Sequence, residues 1–317
     1  MRRLVVGLFA AIGLVTVLTV GAGIALVTVA DSGKPTPPSR MVLEVDWRRL
    51  PEETAPSGRL SLDILTPQPP TLSQTAALLR RAARDPRVTG LIATLGDSEP
   101  GLASVQELRD ALAAFRAAGK FAVAYSESFD EGPGGLQNYY LATAFDSIWL
   151  QPSGDFGVVG LAAQVPFLKG AMDRLGVRVE GGRRMEYKTA PNSFTESGLT
   201  PAHRENLQQL LDGLYGLVTD DIAASRKIAA AEVRGLIDRA PLAAPEALAA
   251  RLVDATYYRD EARAEILKRA GAGAELFELS DYGAAMRDER PAGDTIALIV
   301  ASGTILSSEP DDNPLQS

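Results

Sequence analysis

Short apolar runs alternate with helical stretches between residues 41 and 150, and this rhythm constrains the fold more than any other feature of the 317-residue chain. Residues 88–95 are nearly continuous in apolar side chains, the pattern of a strand covered on both faces. They lie between two stretches that open on a capping-box pattern, Thr71-Leu72-Ser73-Gln74 and Ser104-Val105-Gln106-Glu107. The first leads into Leu72, Ala76, Leu79 and Ala83 at helical spacing and is closed by Asp85-Pro86. The second runs through Leu108, Leu112 and Phe115 and stops at Gly119. Residues 41–46, 121–125 and 147–150 read as further strands, with a helix predicted over 136–144 after the glycine-rich connection 131–135. Strand, helix, strand in this order predicts an α/β domain with parallel pairing and right-handed crossovers.

Beyond Leu150 the pattern turns mostly helical. Residues 167–175 read as a short helix closed by Gly176, and 201–226 as a long one through Leu207, Leu210, Leu214 and Leu217. Residues 230–237, 244–252 and 261–270 read as further helices. Residues 295–300 then resemble the first strand in character, so the architecture begins a second time. The predicted organisation is an anchor over 1–30, a linker over 31–40, a first domain over 41–287, a linker over 288–294 and the start of an incomplete second domain over 295–317.

Leu4 to Ala30 contains no charged residue and exceeds the roughly 20 apolar residues that cross a bilayer. Arg2 and Arg3 precede it and Asp31 follows, which predicts a cytoplasmic N-terminus with the rest of the chain outside. A cleaved signal peptide competes, with Val27 to Ala30 at the cut. The run is longer than the usual signal core of about 7–15 residues, which favours an uncleaved anchor. The proline-rich stretch 31–39 reads as an extended spacer. Cysteine is absent, which removes thiol nucleophiles and thiolate metal sites and fits an exported chain. The one histidine, His203, reads as a surface residue in a first helical turn, and a single ring cannot build a histidine-rich metal site. A net charge of -8 with no basic stripe argues against nucleic acid.

The stretch Arg183 to Phe194 follows a strand-like run, Val177 to Glu180, and precedes the helix start at Thr200-Pro201, so Lys188 is placed on a connection, where chemistry is commonly carried. Lysine occurs elsewhere only at Lys34, Lys120, Lys169, Lys227 and Lys268. Arginine keeps its proton at working pH whereas a desolvated lysine can lose it, which makes Lys188 beside Tyr187 a candidate base. An exposed loop lysine is the competing reading. Gly154, Gly157 and Gly160 allow close backbone approach and positive φ. A phosphate cradle is one reading of that turn, but no Walker lysine or dinucleotide spacing follows it.

In order, these pieces resemble the signal peptide peptidase A family in its long bacterial form, with two tandem domains, a membrane anchor and a Ser/Lys dyad. The resemblance is carried by the anchor, by Asp85-Pro86-Arg87-Val88, and by Ala118-Gly119-Lys120-Phe121-Ala122-Val123. It continues in Tyr139-Tyr140-Leu141-Ala142, Ile148-Trp149-Leu150-Gln151-Pro152, Tyr187-Lys188-Thr189-Ala190 and Arg251-Leu252-Val253-Asp254-Ala255. It implies a crotonase- or Clp-protease-like α/β fold of repeated β-β-α units, with an N-terminal transmembrane helix and a helical C-terminal region. It also implies a tetramer-like homo-oligomeric ring, single-pass in the bacterial inner membrane through residues 4–30 with its catalytic part on the periplasmic side. The implied substrates are apolar signal-peptide fragments, hydrolysed by acyl transfer to serine and then water, without cofactor or metal.

The resemblance assigns Lys188 as general base. It places the serine in the second domain, within a Gly-Ser-Ile-Gly turn encoded past Ser317 together with its oxyanion donors. Gly157-Val158-Val159-Gly160 falls at the first domain's degenerate copy of that turn, with a valine that cannot attack a carbonyl. A base at neutral pH requires lysine to fall from about 10.4 to about 7–8. Met185, Tyr187 and Phe194 are expected to cover the amine, Thr189 or Ser193 to accept from it, and Glu186 to point away as alternate residues of an extended segment do. Two other readings are a non-catalytic scaffold on this fold and an acyl-CoA enzyme, the second disfavoured by the anchor.

Overall fold

In the computed structural model of the chain, which describes residues 13–21, 35–54, 69–96, 98–129 and 134–286, the expected strand and helix rhythm forms one parallel sheet. Residues 13–21 are helical (α1). The first half then runs β1 Met41–Trp47, α2 Leu72–Ala82, β2 Val88–Leu95, α3 Leu102–Ala117, β3 Phe121–Ser126, α4 Gly135–Ala142, β4 Ser147–Leu150 and β5 Asp155–Phe156. An excursion follows with α5 Lys169–Arg174, α6 Asn192–Thr195 and α7 Pro201–Arg226. The last part holds α8 Ala230–Ile237, β6 Leu242–Ala243, α9 Ala244–Ala249, β7 Ala255–Thr256, α10 Arg259–Ala270, β8 Glu275–Glu278 and α11 Leu279–Ala285. Six strands pair in the order β7-β4-β3-β2-β1-β8, every neighbour parallel, and β5 pairs antiparallel with β6 apart from them. Among the described residues from β1 to β4 strands alternate singly with helices, in place of the expected β-β-α repeats, and four helices, α5 to α8, separate β5 from β6.

The apolar run of β2 has its cause in this layering. Leu91, Ala93 and Leu95 pack with Leu79 of α2 and with Leu108, Leu112 and Phe115 of α3. Ile92 joins Val42, Val123, Tyr125 and Trp149 on the opposite face, against Ala262, Ile266 and Ala270 of α10. Covered on both sides, the strand needs apolar residues at successive positions, each fully buried large side chain contributing about 1.5–3 kcal/mol.

Helix boundaries follow packing as well as local signals. The capping box at α2 is realised: Thr71 Oγ1 accepts from Gln74 N at 3.4 Å and Gln74 Oε1 accepts from Thr71 N at 3.0 Å. The one expected at Ser104 is not, because α3 begins earlier, after Gly101, without a side-chain cap. Leu102 packs against the core cluster, so burial starts the helix before the local pattern does.

The sequence pattern predicts none of β5 to β8. β8 lies along β1 from Met41↔Glu275 to Glu44↔Glu278. After it α11 returns to the amino edge of the sheet, where Arg81 Nη1 donates to Met286 O at 3.2 Å and Arg87 Nη2 lies 3.7 Å from Met286 Sδ. Met41 N donates to Arg87 O at 2.8 Å, so the chain enters β1 beside the place where the described residues end. Of the expected span 4–30, all but 13–21 lies outside the described residues, as do the linker 288–294 and the strand 295–300. Among the described residues no helix is long and apolar enough to cross a membrane.

Candidate active site

At the carboxyl edge of the sheet the connections after β2, β3 and β4 press backbone against backbone, which only glycine allows. A Cβ on Gly134, whose φ is +106°, would lie 2.0 Å from Ser98 O, and one on Gly154 would lie 1.9 Å from Glu127 O. Asn138 Nδ2 donates to Ser98 O at 2.7 Å and so ties α4 to the loop after β2. Gly157 N donates to Phe129 O at 2.5 Å, while the rings of Phe129, Tyr139 and Phe156 meet edge to face beneath. Burial pushes the Tyr139 phenol up, and its hydroxyl donates to Leu252 O at 2.8 Å.

Val158, at the position the resemblance gives to a degenerate serine turn, is fully buried in the main core cluster. Its neighbour Val159 is exposed. The side chain at 158 therefore packs the core and offers no reactive atom to solvent.

Lys188 is exposed. Residues 177–180, expected as a strand, pair with no strand among the described residues and are exposed. Lys188 N closes a turn on Met185 O at 3.4 Å, and Met185 itself has φ 66°. The extended segment expected to turn Glu186 away is thus a bend, and the alternation argument does not apply to it. The expected apolar cover is also open in this chain: Met185 is 74% exposed, Tyr187 46% and Phe194 42%.

Order is concentrated just past the lysine. Asn192 is fully buried and His203, expected at the surface, is 6% exposed. His203 does sit in the first turn of α7, where its N–H donates to the Thr200 cap at 3.3 Å. Its ring is covered because Phe167 packs edge-on at 6.3 Å and Asn192 Nδ2 lies 3.5 Å from Nδ1. Arg183 Nη1 donates to Asn192 Oδ1 at 2.6 Å, and Tyr187 OH donates to Glu205 Oε2 at 2.8 Å, which holds the Tyr187 phenol above its usual range. The association of Arg183, Asn192, His203 and Glu205 is set by folding of 160–200 over α7, and no local spacing in the sequence betrays it.

A second concavity, a cavity of about 470 Å³, opens at the carboxyl end of β1 between the starts of α2 and α11, with Trp47, Leu50, Thr75 and Glu278 in its wall. It shares no residue with the Lys188 turn. Burial first, then Glu44 and Asp281, raises the Glu278 carboxyl above the ordinary range. Among the described residues no group of three or more histidine, aspartate or glutamate side chains could hold a metal ion.

The parallel-sheet α/β domain with its glycine-lined carboxyl edge and exposed lysine turn fixes the fold class, while the family is read from the sequence pattern. The sequence pattern of peptidase family S49 matches residues 114–273, which include that turn, and the chain belongs to this family. It is 28% identical over 246 residues to Protease 4 of Salmonella typhi, covering 73% of this chain and 38% of that protein. It is 26% identical over 201 residues to the chloroplastic serine protease SPPA of Arabidopsis thaliana, covering 63% of this chain and 29% of that protein. The chain thus spans less than two fifths of the length of these two curated relatives. A solved enoyl-CoA hydratase/isomerase of Mycobacterium abscessus superposes with a TM-score of 0.31 at 15% identity, covering 63% of this chain and 64% of that one, a likeness too slight to carry an argument.

Proposed function

We propose that this chain supplies the general base, Lys188, of a membrane-anchored serine endopeptidase that degrades cleaved signal peptides and other short apolar peptides. The observation that carries the reading is membership of peptidase family S49 through a segment that contains Tyr187-Lys188-Thr189-Ala190. The names of the relatives, Protease 4 and serine protease SPPA, support the same class of reaction. A serine hydroxyl becomes a useful nucleophile when a base takes its proton. In the proposed step the serine oxygen attacks the scissile carbonyl, Lys188 Nζ takes the hydroxyl proton and returns it to the leaving amine, and water then releases the acyl group. The serine comes from residues following this chain, since the equivalent turn here carries Val158.

Lys188 can act this way only when its ammonium form is disfavoured by desolvation. In this chain the lysine stands open, so its cover comes from the serine-bearing repeat or from another copy. Exposed apolar side chains on the same excursion, among them Leu175, Met185 and Leu210, support such a contact. The charge-free stretch Leu4 to Ala30 as anchor, a periplasmic catalytic part, a ring-shaped homo-oligomer and a crotonase-like topology complete the proposal. Lys188→Ala in the full-length protein is expected to lower peptide hydrolysis by about three orders of magnitude or more while leaving the gel-filtration volume unchanged. Retained turnover removes the base assignment.

The second reading is a scaffold that anchors and oligomerises without catalysis. The buried Val158 at the serine's place favours it for this chain taken by itself.

A further inference from the structure

The backbone on each side of Lys188 is tied to the opening turns of one helix, and we infer that these ties are a clasp that positions the lysine for proton transfer. The inference rests on the reading of Lys188 as base.

On one flank Tyr187 OH donates to Glu205 Oε2 at 2.8 Å. On the other, Asn192 N donates to Thr189 O at 2.9 Å, and the Asn192 side chain is wedged between Arg183 and His203. A guanidinium only donates, so Asn192 turns its carbonyl oxygen to Arg183, which leaves its amide nitrogen facing His203 Nδ1 at 3.5 Å. Arg183 reaches Glu196 as well, at 3.8 Å. Asn192 is fully buried although residues 181–188 are all exposed and only three residues separate it from them. A loop whose only task is to connect two elements has no need of a buried amide at that point.

The helix carrying Glu205 and His203 explains what the clasp is fastened to. α7 spans 26 residues, about 39 Å. Val218, Thr219, Ile222 and Ala223 bury its far part in the domain, while Leu210 and Leu217 remain exposed. The helix is therefore a rod rooted in the core at one end that holds the Lys188 turn at the other. Tyr187, Asn192, His203 and Glu205 act through the backbone beside the lysine and are positioning residues. An error of about 1 Å in a reacting group can cost about a hundredfold in rate.

The test uses the full-length protein and a chromogenic apolar peptide. Tyr187→Phe, Glu205→Ala, Asn192→Ala and His203→Phe are each expected to lower kcat by about 10- to 100-fold with KM unchanged. Glu205→Gln, whose amide oxygen still accepts from the phenol, is expected to recover most of the loss. In the chain of residues 1–317 the amides of Lys188 and Asn192 are expected to exchange with solvent faster in Asn192→Ala, those of β2 at an unchanged rate. Should Asn192→Ala or His203→Phe fail to fold, the surface pair Tyr187→Phe and Glu205→Ala, with Glu205→Gln as its rescue, still decides. Turnover in Lys188→Ala overturns the base assignment; an inactive Lys188→Ala beside four variants with wild-type kcat, or with only KM changed, overturns the clasp alone.

Discussion

Gly134 is the residue at which one methyl group has the largest foreseeable effect. Its φ of +106° lies where side chains are rarely found, and the new carbon would stand 2.0 Å from Ser98 O, a backbone atom that cannot swing aside. Gly119, with φ +81° and nothing within 4 Å, carries the conformational penalty without the collision. Strain of this kind costs about 1–3 kcal/mol. Gly134→Ala is expected to lower Tm by about 5 °C or more and Gly119→Ala by clearly less, read by thermal unfolding of the two variants side by side. An equal loss in both would place the cost in φ alone.

Among elements, one carboxylate gathers four hydrogen bonds at the junction of α2, β2 and α11. Asp85 accepts from Arg87 N at 2.9 Å, Nε at 3.0 Å and Nη2 at 2.7 Å, and from Tyr282 OH at 3.2 Å. The Arg87 guanidinium above all holds its carboxyl below the usual range, while burial pushes the Tyr282 phenol up to about 12. A depressed carboxyl stabilises the fold above its unfolded value of about 3.9, and that contribution disappears as pH falls through the folded value. Asp85→Asn is therefore expected to lower the urea midpoint at pH 7, with the gap to wild type narrowing at pH 3; a gap that is constant with pH would contradict the assignment.

The same scale shows what the sequence could disclose. β2 and β4 begin and end where the apolar runs do, because buried parallel strands write their limits directly into composition. β7 and β8 have two and four residues of mixed exposure, and exist because β4 and β1 offer them free edges far away in sequence. Val177-Arg178-Val179-Glu180 has the local alternation of a strand but no edge to join, and stays irregular. Lys188 was legible as a rare residue type on a connection. Its supports at Asn192 and His203 were not, since burial there depends on how a long excursion folds back.

For the whole molecule, reactivity separates a half-site from a complete one. A fluorophosphonate probe, which labels an activated serine, is expected to modify the full-length protein but neither its Lys188→Ala variant nor the chain of residues 1–317, as read by mass spectrometry. Labelling of the 317-residue chain alone would mean that a nucleophile lies within it and that the division of labour proposed between two repeats is mistaken. Failure of the full-length protein to label would favour the scaffold.

The parallel seating of β8 on β1 has a mechanical corollary. Arg40 and Met286 leave the domain side by side on the rim opposite the tightly packed glycines, with Arg87 touching both exits. The entry to β1 and the end of α11 therefore share one anchorage, and a disturbance of the turn at Arg87 would reach both together, on the rim away from the tightly packed glycines.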